Sequence, residues 1–115
     1  MKFYHNPRCS KSRQTLALLE ENGHAVEIVK YLEDTPSIDE LKSIVEKLGF
    51  SSAHQLFRTK ETLYKELDVA SSKGDETKLI EILNSNPKLI ERPILVTDEK
   101  AAIGRPPESV LDIIA

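Results

Sequence analysis

The dipeptide Asn6-Pro7 constrains this chain most, because it fixes where the first strand must stop and where the first helix can begin. Proline bars the residue before it from the helical region, and Asn-Pro initiates turns, so the β-prone run Lys2-Phe3-Tyr4-His5 ends there. From Lys11 the composition turns helical through Gln14, Leu16, Ala17, Leu18, Leu19, Glu20 and Glu21, and Asn22-Gly23 supplies a C-terminal stop. Ala25 to Val29 is apolar and β-branched and reads as a second strand. A strand, a helix and a returning strand in that order form a βαβ unit, whose two strands should be parallel.

After Thr35-Pro36, the run Ser37-Ile38-Asp39-Glu40 fits a capping box, and Ile38, Leu41, Ile44, Val45 and Leu48 recur at helical spacing until Gly49. Ser51 to Ser85 has helix-favouring residues punctuated by Leu56, Phe57, Leu63, Leu67, Leu79, Ile80 and Leu83, and reads as several short helices. Asn86-Pro87 closes them. Arg92-Pro93 opens the strand Ile94-Leu95-Val96-Thr97, joined through Asp98-Glu99-Lys100 to Ala101-Ala102-Ile103, a connection short enough for a hairpin. Pro106-Pro107-Glu108 starts a last helix, with Val110, Leu111 and Ile114 as its expected buried side. The class is α/β. With 115 residues, 39% of them hydrophobic, the chain is expected to form one domain over residues 1–115.

Charge and composition exclude several functions. A net charge of −3 gives no overall basic balance, which argues against nucleic acid or an anionic membrane as partner. No apolar run approaches the roughly 20 residues needed to cross a bilayer, and Met-Lys-Phe-Tyr-His leads into a strand instead of a signal-peptide core, so the expected location is the cytoplasm. One cysteine permits neither an internal disulfide nor a C-x-x-C zinc pair, and His24 and His54 have no partner at ligand spacing, so no metal is expected.

That cysteine is either packing or chemistry. Free cysteine is often buried and inert, but Cys9 sits between the loop after the first strand and the first turn of the helix. Unpaired backbone N–H groups and the positive helix end should face it, and both favour a thiolate. Arg8 and Lys11 add positive charge in sequence, and the same N–H groups suit a tetrahedral oxyanion. The chain carries five arginines against eleven lysines, and Arg92 and Arg105 each directly precede a proline. A guanidinium fork binds an oxyanion through paired hydrogen bonds, whereas lysine offers a point charge. Arg92 and Arg105 flank the terminal hairpin, and packing of that hairpin beside the first strand would bring both toward Cys9. His5 can polarise Cys9 or orient a neighbour, although a histidine at a strand end is more often structural. Ser10 and Ser12 can donate to substrate or thiolate, and helix capping explains a serine there equally well. Tyr4, Tyr31 and Tyr64 read as packing, and Asp34, Asp39 and Glu40 as a turn and helix start.

His5-Asn6-Pro7-Arg8-Cys9-Ser10-Lys11-Ser12-Arg13, Glu91-Arg92-Pro93-Ile94-Leu95-Val96 and Gly104-Arg105-Pro106-Pro107-Glu108 closely resemble the glutaredoxin-linked arsenate reductase family. The likeness covers nearly the whole chain, in order. It implies a thioredoxin-like, glutaredoxin-type mixed sheet with a helical insertion over about 37–86. It also implies Cys9 as nucleophile and Arg58, Arg92 and Arg105 as an oxyanion-binding trio, with His5, Asn6, Arg8 and Ser12 as supporting positions. Arg58 enters only through this resemblance, in Leu56-Phe57-Arg58-Thr59-Lys60. In the implied mechanism the thiolate displaces a hydroxyl from arsenate, glutathione attacks the thio-arsenate adduct, and glutaredoxin completes reduction to arsenite.

The resemblance thus makes glutathione a co-substrate, glutaredoxin a partner, and a monomer with no bound cofactor the expected state. Ending at Ala115 soon after the last helix, the chain is most similar to the short, arsenate reductase-like subgroup, and Arg8 stands where some members carry a small residue. Two alternatives share the fold. A redox regulator that binds RNA polymerase typically carries Cys-x-x-Cys, and here the second position is Ser12. A monothiol glutaredoxin acting on glutathione mixed disulfides would use Cys9 without needing the three arginines.

Overall fold

The computed structural model describes residues 1–114, and the chain divides into two compact units, Met1–Asp34 with Arg92–Ala115, and Thr35–Glu91. The first unit holds strands β1 (Lys2–Tyr4), β2 (Glu27–Val29), β3 (Ile94–Val96) and β4 (Ala101–Ile103), with helix α1 (Ser10–Glu21) between the first two. The sheet order is β2-β1-β3-β4. β1 pairs parallel with β2 and antiparallel with β3, placing Phe3 opposite both Ile28 and Leu95, so the βαβ expectation holds. β3 and β4 form the expected hairpin, closed by Thr97 and Lys100: the Thr97 amide donates to the Lys100 carbonyl at 2.8 Å.

Phe3, Leu19, Leu95 and Val110 form the centre of this unit, all fully buried, with Leu16, Val26, Ala102, Ile113 and Ile114 packed around them. Each large apolar side chain so buried contributes about 1.5–3 kcal/mol relative to exposure. The side-chain alternation of β1 and β3 and one stripe of α1 therefore meet on a single face. Gly104 lies where hairpin and helix approach most closely: a Cβ built on it would fall 2.6 Å from Thr15 Oγ1 and 2.9 Å from Pro93 Cγ. Arg92-Pro93 and Arg105-Pro106 are cis peptides at the two ends of the hairpin.

Two expectations shift. β2 begins at Glu27 and not at Ala25, because β1 begins at Lys2 and the register Lys2 to Glu27 leaves only Met1, outside β1, opposite Val26 and no residue opposite Ala25. As an edge strand it leaves Ile28 47% exposed. The terminal helix is a 3-10 helix, Pro107–Ile113. Val110 is fully buried and Ile113 and Ile114 pack half-buried against the core, while Leu111 is half-buried outside that cluster.

The second unit is helical, with α2 (Ile38–Lys47), α3 (Thr62–Glu66) and α4 (Glu76–Ser85), and 3-10 turns at Ala53–Leu56, Val69–Ser72 and Pro87–Leu89. The capping box forms as the spacing predicts: Ser37 Oγ accepts from the Glu40 amide at 3.1 Å and Glu40 Oε1 accepts from the Ser37 amide at 3.4 Å. α2 packs on α4, with Leu41, Ile44, Leu79 and Leu83 buried. Ile38, counted with the buried stripe, is 38% exposed because it occupies the first helical position, before the stripe turns inward. The Glu76 carboxylate accepts from the Ala53 amide and from Ser52 Oγ, both at 2.7 Å, so the first turn of α4 anchors the preceding 3-10 turn. Among the described residues, no helix is long and apolar enough to cross a membrane.

Candidate functional site: a thiol at a helix start

Cys9 is the N-cap residue of α1, with extended backbone, φ −91° and ψ 123°. Its carbonyl accepts the first helical bond, from the Arg13 amide at 3.0 Å, and its own amide donates to the Asn6 carbonyl at 3.0 Å. The side chain stands half-buried where the unpaired N–H groups of the first turn emerge. Partial burial alone would raise the thiol pKa. The Ser12 amide, the Arg92 charge, the Lys11 amide and the Arg105 charge act against burial and prevail, so the pKa lies below the ordinary value and the thiolate is favoured.

Sequence reasoning therefore finds the right elements and misassigns part of their work. Lys11 acts through its backbone N–H, and the side-chain charges that lower the thiol are those of Arg92 and Arg105, brought in by the hairpin as expected. Arg105 Nε donates to the Arg92 carbonyl at 2.9 Å, which ties the two cationic corners together. Arg8 is exposed, and its amide donates to Asn6 Oδ1 at 3.1 Å in an Asx turn.

The side chain of Ser12 does not face the thiol. It is fully buried, accepts from the Asn6 amide at 3.0 Å and meets His5 Nδ1 at 2.6 Å. Ser12 Oγ can accept twice and donate once, so its bond with Nδ1 forms with either tautomer of a neutral His5. Burial, Lys30 and Arg13 all lower the His5 pKa and favour that neutral form. His5 is thus the structural group that a strand-end histidine usually is, and the His5–Ser12–Asn6 bonds clamp the end of β1 to the first turn of α1. Arg13 Nη1 adds a second clamp by donating to the Pro7 carbonyl at 2.9 Å. No sequence signal distinguishes Arg13 from a surface cation.

Arg58 belongs to the second unit. Its Nη1 lies 2.7 Å from Glu61 Oε2, and Lys88 Nζ lies 3.6 Å from the other Glu61 oxygen. The Arg58 amide donates to the Leu89 carbonyl at 2.8 Å, next to the bridge between Phe57 and Ile90. Phe57 in turn packs against the rings of His54 and Tyr64, whose Nε2 and hydroxyl meet at 2.6 Å. Glu61 is an anchor that sequence reasoning missed, although its spacing of three from Arg58 in the sequence is the signal that would have suggested it. Among the described residues, no group of three His, Cys, Asp or Glu side chains is arranged to hold a metal.

A mixed sheet with an N-terminal βαβ, a cysteine at the start of α1 and a hairpin framed by cis-prolines defines a thioredoxin-like α/β protein. The ArsC family model matches residues 4–113, and the chain belongs to that family. It is 54% identical over 114 residues to "Uncharacterized protein YfgD" of Escherichia coli (strain K12), covering 99% of this chain and 96% of the relative. It is 49% identical over 110 residues to an arsenate reductase of Neisseria meningitidis serogroup A, covering 96% of this chain and 94% of that one. The solved structure of an arsenate reductase from Vibrio cholerae superposes with a TM-score of 0.93 at 50% identity, over 98% of both chains.

Proposed function

We propose that this chain is an arsenate reductase in which Cys9 is the nucleophile, Arg58, Arg92 and Arg105 bind the oxyanion, and glutathione and glutaredoxin supply the electrons. One observation carries the reading: in a chain of the ArsC family, the only cysteine sits at a helix start with its pKa lowered by backbone N–H groups and by Arg92 and Arg105. A thiolate and an anion-binding element coincide there.

In the first step the Cys9 thiolate attacks arsenic. A hydroxyl leaves as water after protonation, and a sulfur–arsenic bond replaces an oxygen–arsenic bond. In the second, a glutathione thiol attacks the arsenic of the adduct and displaces a further hydroxyl as water. In the third, a glutaredoxin thiolate attacks the glutathione sulfur; the electron pair of the glutathione sulfur–arsenic bond passes to arsenic, leaving arsenic(III) on Cys9 and a glutaredoxin–glutathione disulfide, and water then releases arsenite and returns the Cys9 thiol. Ser12 occupies the place a resolving cysteine would need, so external thiols are required. We assign the chemistry to the cytoplasm, where glutathione keeps thiols reduced, and to a monomer with no bound cofactor.

The test is NADPH consumption in the presence of glutathione, glutathione reductase and glutaredoxin, with and without arsenate. Arsenate-dependent consumption is expected. Its absence, with consumption on a small glutathione mixed disulfide instead, would make the chain a monothiol oxidoreductase.

A further inference from the structure

We propose that Gly104 is a positioning residue for the reaction of Cys9: its lack of a side chain lets the corner that carries Arg92 and Arg105 seat against Thr15 of α1, and so holds both arginines beside the helix start. This rests on the reading of Cys9 given above and deepens it. Gly104, Pro93 and Thr15 are all buried and all belong to the first unit. The backbone of Gly104 lies outside the left-handed region, so its conformation is open to other residues and only space selects glycine. That space is missing: a Cβ would stand 2.6 Å from Thr15 Oγ1 and 2.9 Å from both Thr15 Cγ2 and Pro93 Cγ.

The neighbours have little room to yield. Thr15 is fully buried, its χ1 is limited to the rotamers a β-branched side chain allows in a helix, and its hydroxyl donates to the Lys11 carbonyl at 2.7 Å. Pro93 is a rigid ring in the same corner as Gly104, whose amide donates to the Pro93 carbonyl at 2.9 Å. Arg92 directly precedes Pro93, Arg105 directly follows Gly104, and Arg105 Nε donates to the Arg92 carbonyl at 2.9 Å. Two hydrogen bonds thus join these four residues into one corner, which moves off the helix as a body when a methyl is wedged between it and Thr15. Reaching ordinary contact at 3.4 Å would open the gap by roughly 0.8 Å. The Arg92 and Arg105 charges, which both favour the Cys9 thiolate, would retreat with the corner. At an effective dielectric constant of about 20, such a retreat of two charges is worth about 0.3–0.5 of a pKa unit.

Alkylation of Cys9 by iodoacetamide, followed against pH on the full chain, tests this without arsenate. Gly104→Ala should raise the midpoint by about 0.3–0.5 unit, which below the midpoint reads as an about two- to threefold slower reaction. Combining Gly104→Ala with Thr15→Ala removes both helix-side atoms that meet the new methyl and should bring the midpoint back toward the wild-type value. A purely structural role would lower stability and leave the thiol of the folded chain unmoved. A folded Gly104→Ala chain with the wild-type midpoint, or a double variant whose midpoint is raised as far as that of the single, would therefore overturn the positioning role. Should the single variant be too unstable to titrate, the double is set against the wild type, and a raised midpoint there overturns the role as well. A midpoint that moves and returns in this way, in a chain that reduces no arsenate, would keep the role of Gly104 and overturn the arsenate reading; arsenate reduction with an unmoved midpoint would do the reverse.

Discussion

The two units hold Cys9 and Arg58 in opposite ways. Around Cys9 the fixing bonds are buried and mostly made by neutral groups: Ser12 Oγ, His5 Nδ1 and the Asn6 amide lock the loop, and the thiol itself is left half-open to react. Around Arg58 the fixing bond is an ion pair with Glu61 in which both side chains keep partial solvent contact, 24% and 17%. A nucleophile must be held without being consumed by its supports, so its scaffold bonds pass beside it. A guanidinium carries five N–H donors, so anchoring through one of them leaves others for further partners.

The sharpest way to break this comparison is Cys9→Ser, which should abolish arsenate reduction with the circular dichroism spectrum and melting temperature preserved, because a hydroxyl ionises far less readily. Appreciable turnover by the folded variant would remove Cys9 from the chemistry. Replacing Arg58, Arg92 or Arg105 singly with lysine keeps the charge and loses the fork, and should lower kcat/KM for arsenate roughly ten- to hundred-fold, the equivalent of about 1.5–3 kcal/mol. Turnover of a glutathione mixed disulfide should fall much less. Three lysine variants with wild-type arsenate activity would dismiss the arginine trio as the oxyanion site.

Gly104→Ala should cost about 1–3 kcal/mol by urea unfolding, since the new methyl must push aside Thr15 and Pro93 in a packed interior. Wild-type stability there would mean that hairpin and helix are looser than the structure shows. Glu61→Gln should cost no more than about 1 kcal/mol, as partly exposed ion pairs usually do. A larger loss would make the helical unit's anchor as structural as the buried clamp.

The smallest effect concerns pH. His5 has a folded pKa below its unfolded value of 6.5, from burial and from Lys30 and Arg13, so the unfolded chain takes up a proton first on acidification. Stability should therefore be constant above that value, fall as pH drops from it toward the folded pKa, and level off below. His5→Asn should flatten that part of the profile. His54 shifts in the same direction, from burial and Lys73 with Glu76 opposing, so its own variant is needed to separate the two.

What was legible in the sequence was local. Asn6-Pro7, the Ser37 capping box and the Asp98-Glu99-Lys100 connection are set by backbone sterics within a few residues, and each appears as read. The approach of Arg92 and Arg105 to the thiol followed from β3 pairing with β1, a topological inference that the antiparallel register bears out. The Ser12 side chain could not be read, because its partners lie on the strand and turn before the helix and compete with the equally plausible role of helix cap. The extent of β2 depended on the length of its neighbour β1, which no property of Ala25 or Val26 encodes. Glu61 stands three residues after Arg58, a spacing that could have pointed to their ion pair, whereas the effect of Lys30 on His5 has no such local spacing in the sequence.

The rate of Cys9 alkylation by iodoacetamide, followed against pH with and without arsenate, tests the central claim most directly. The helix-start N–H groups and the two hairpin arginines predict a midpoint below the free-cysteine value of about 8.5, and arsenate should slow alkylation by occupying the site and sulfur. A midpoint at or above that value, with a rate indifferent to arsenate, would contradict an activated thiolate poised beside an oxyanion.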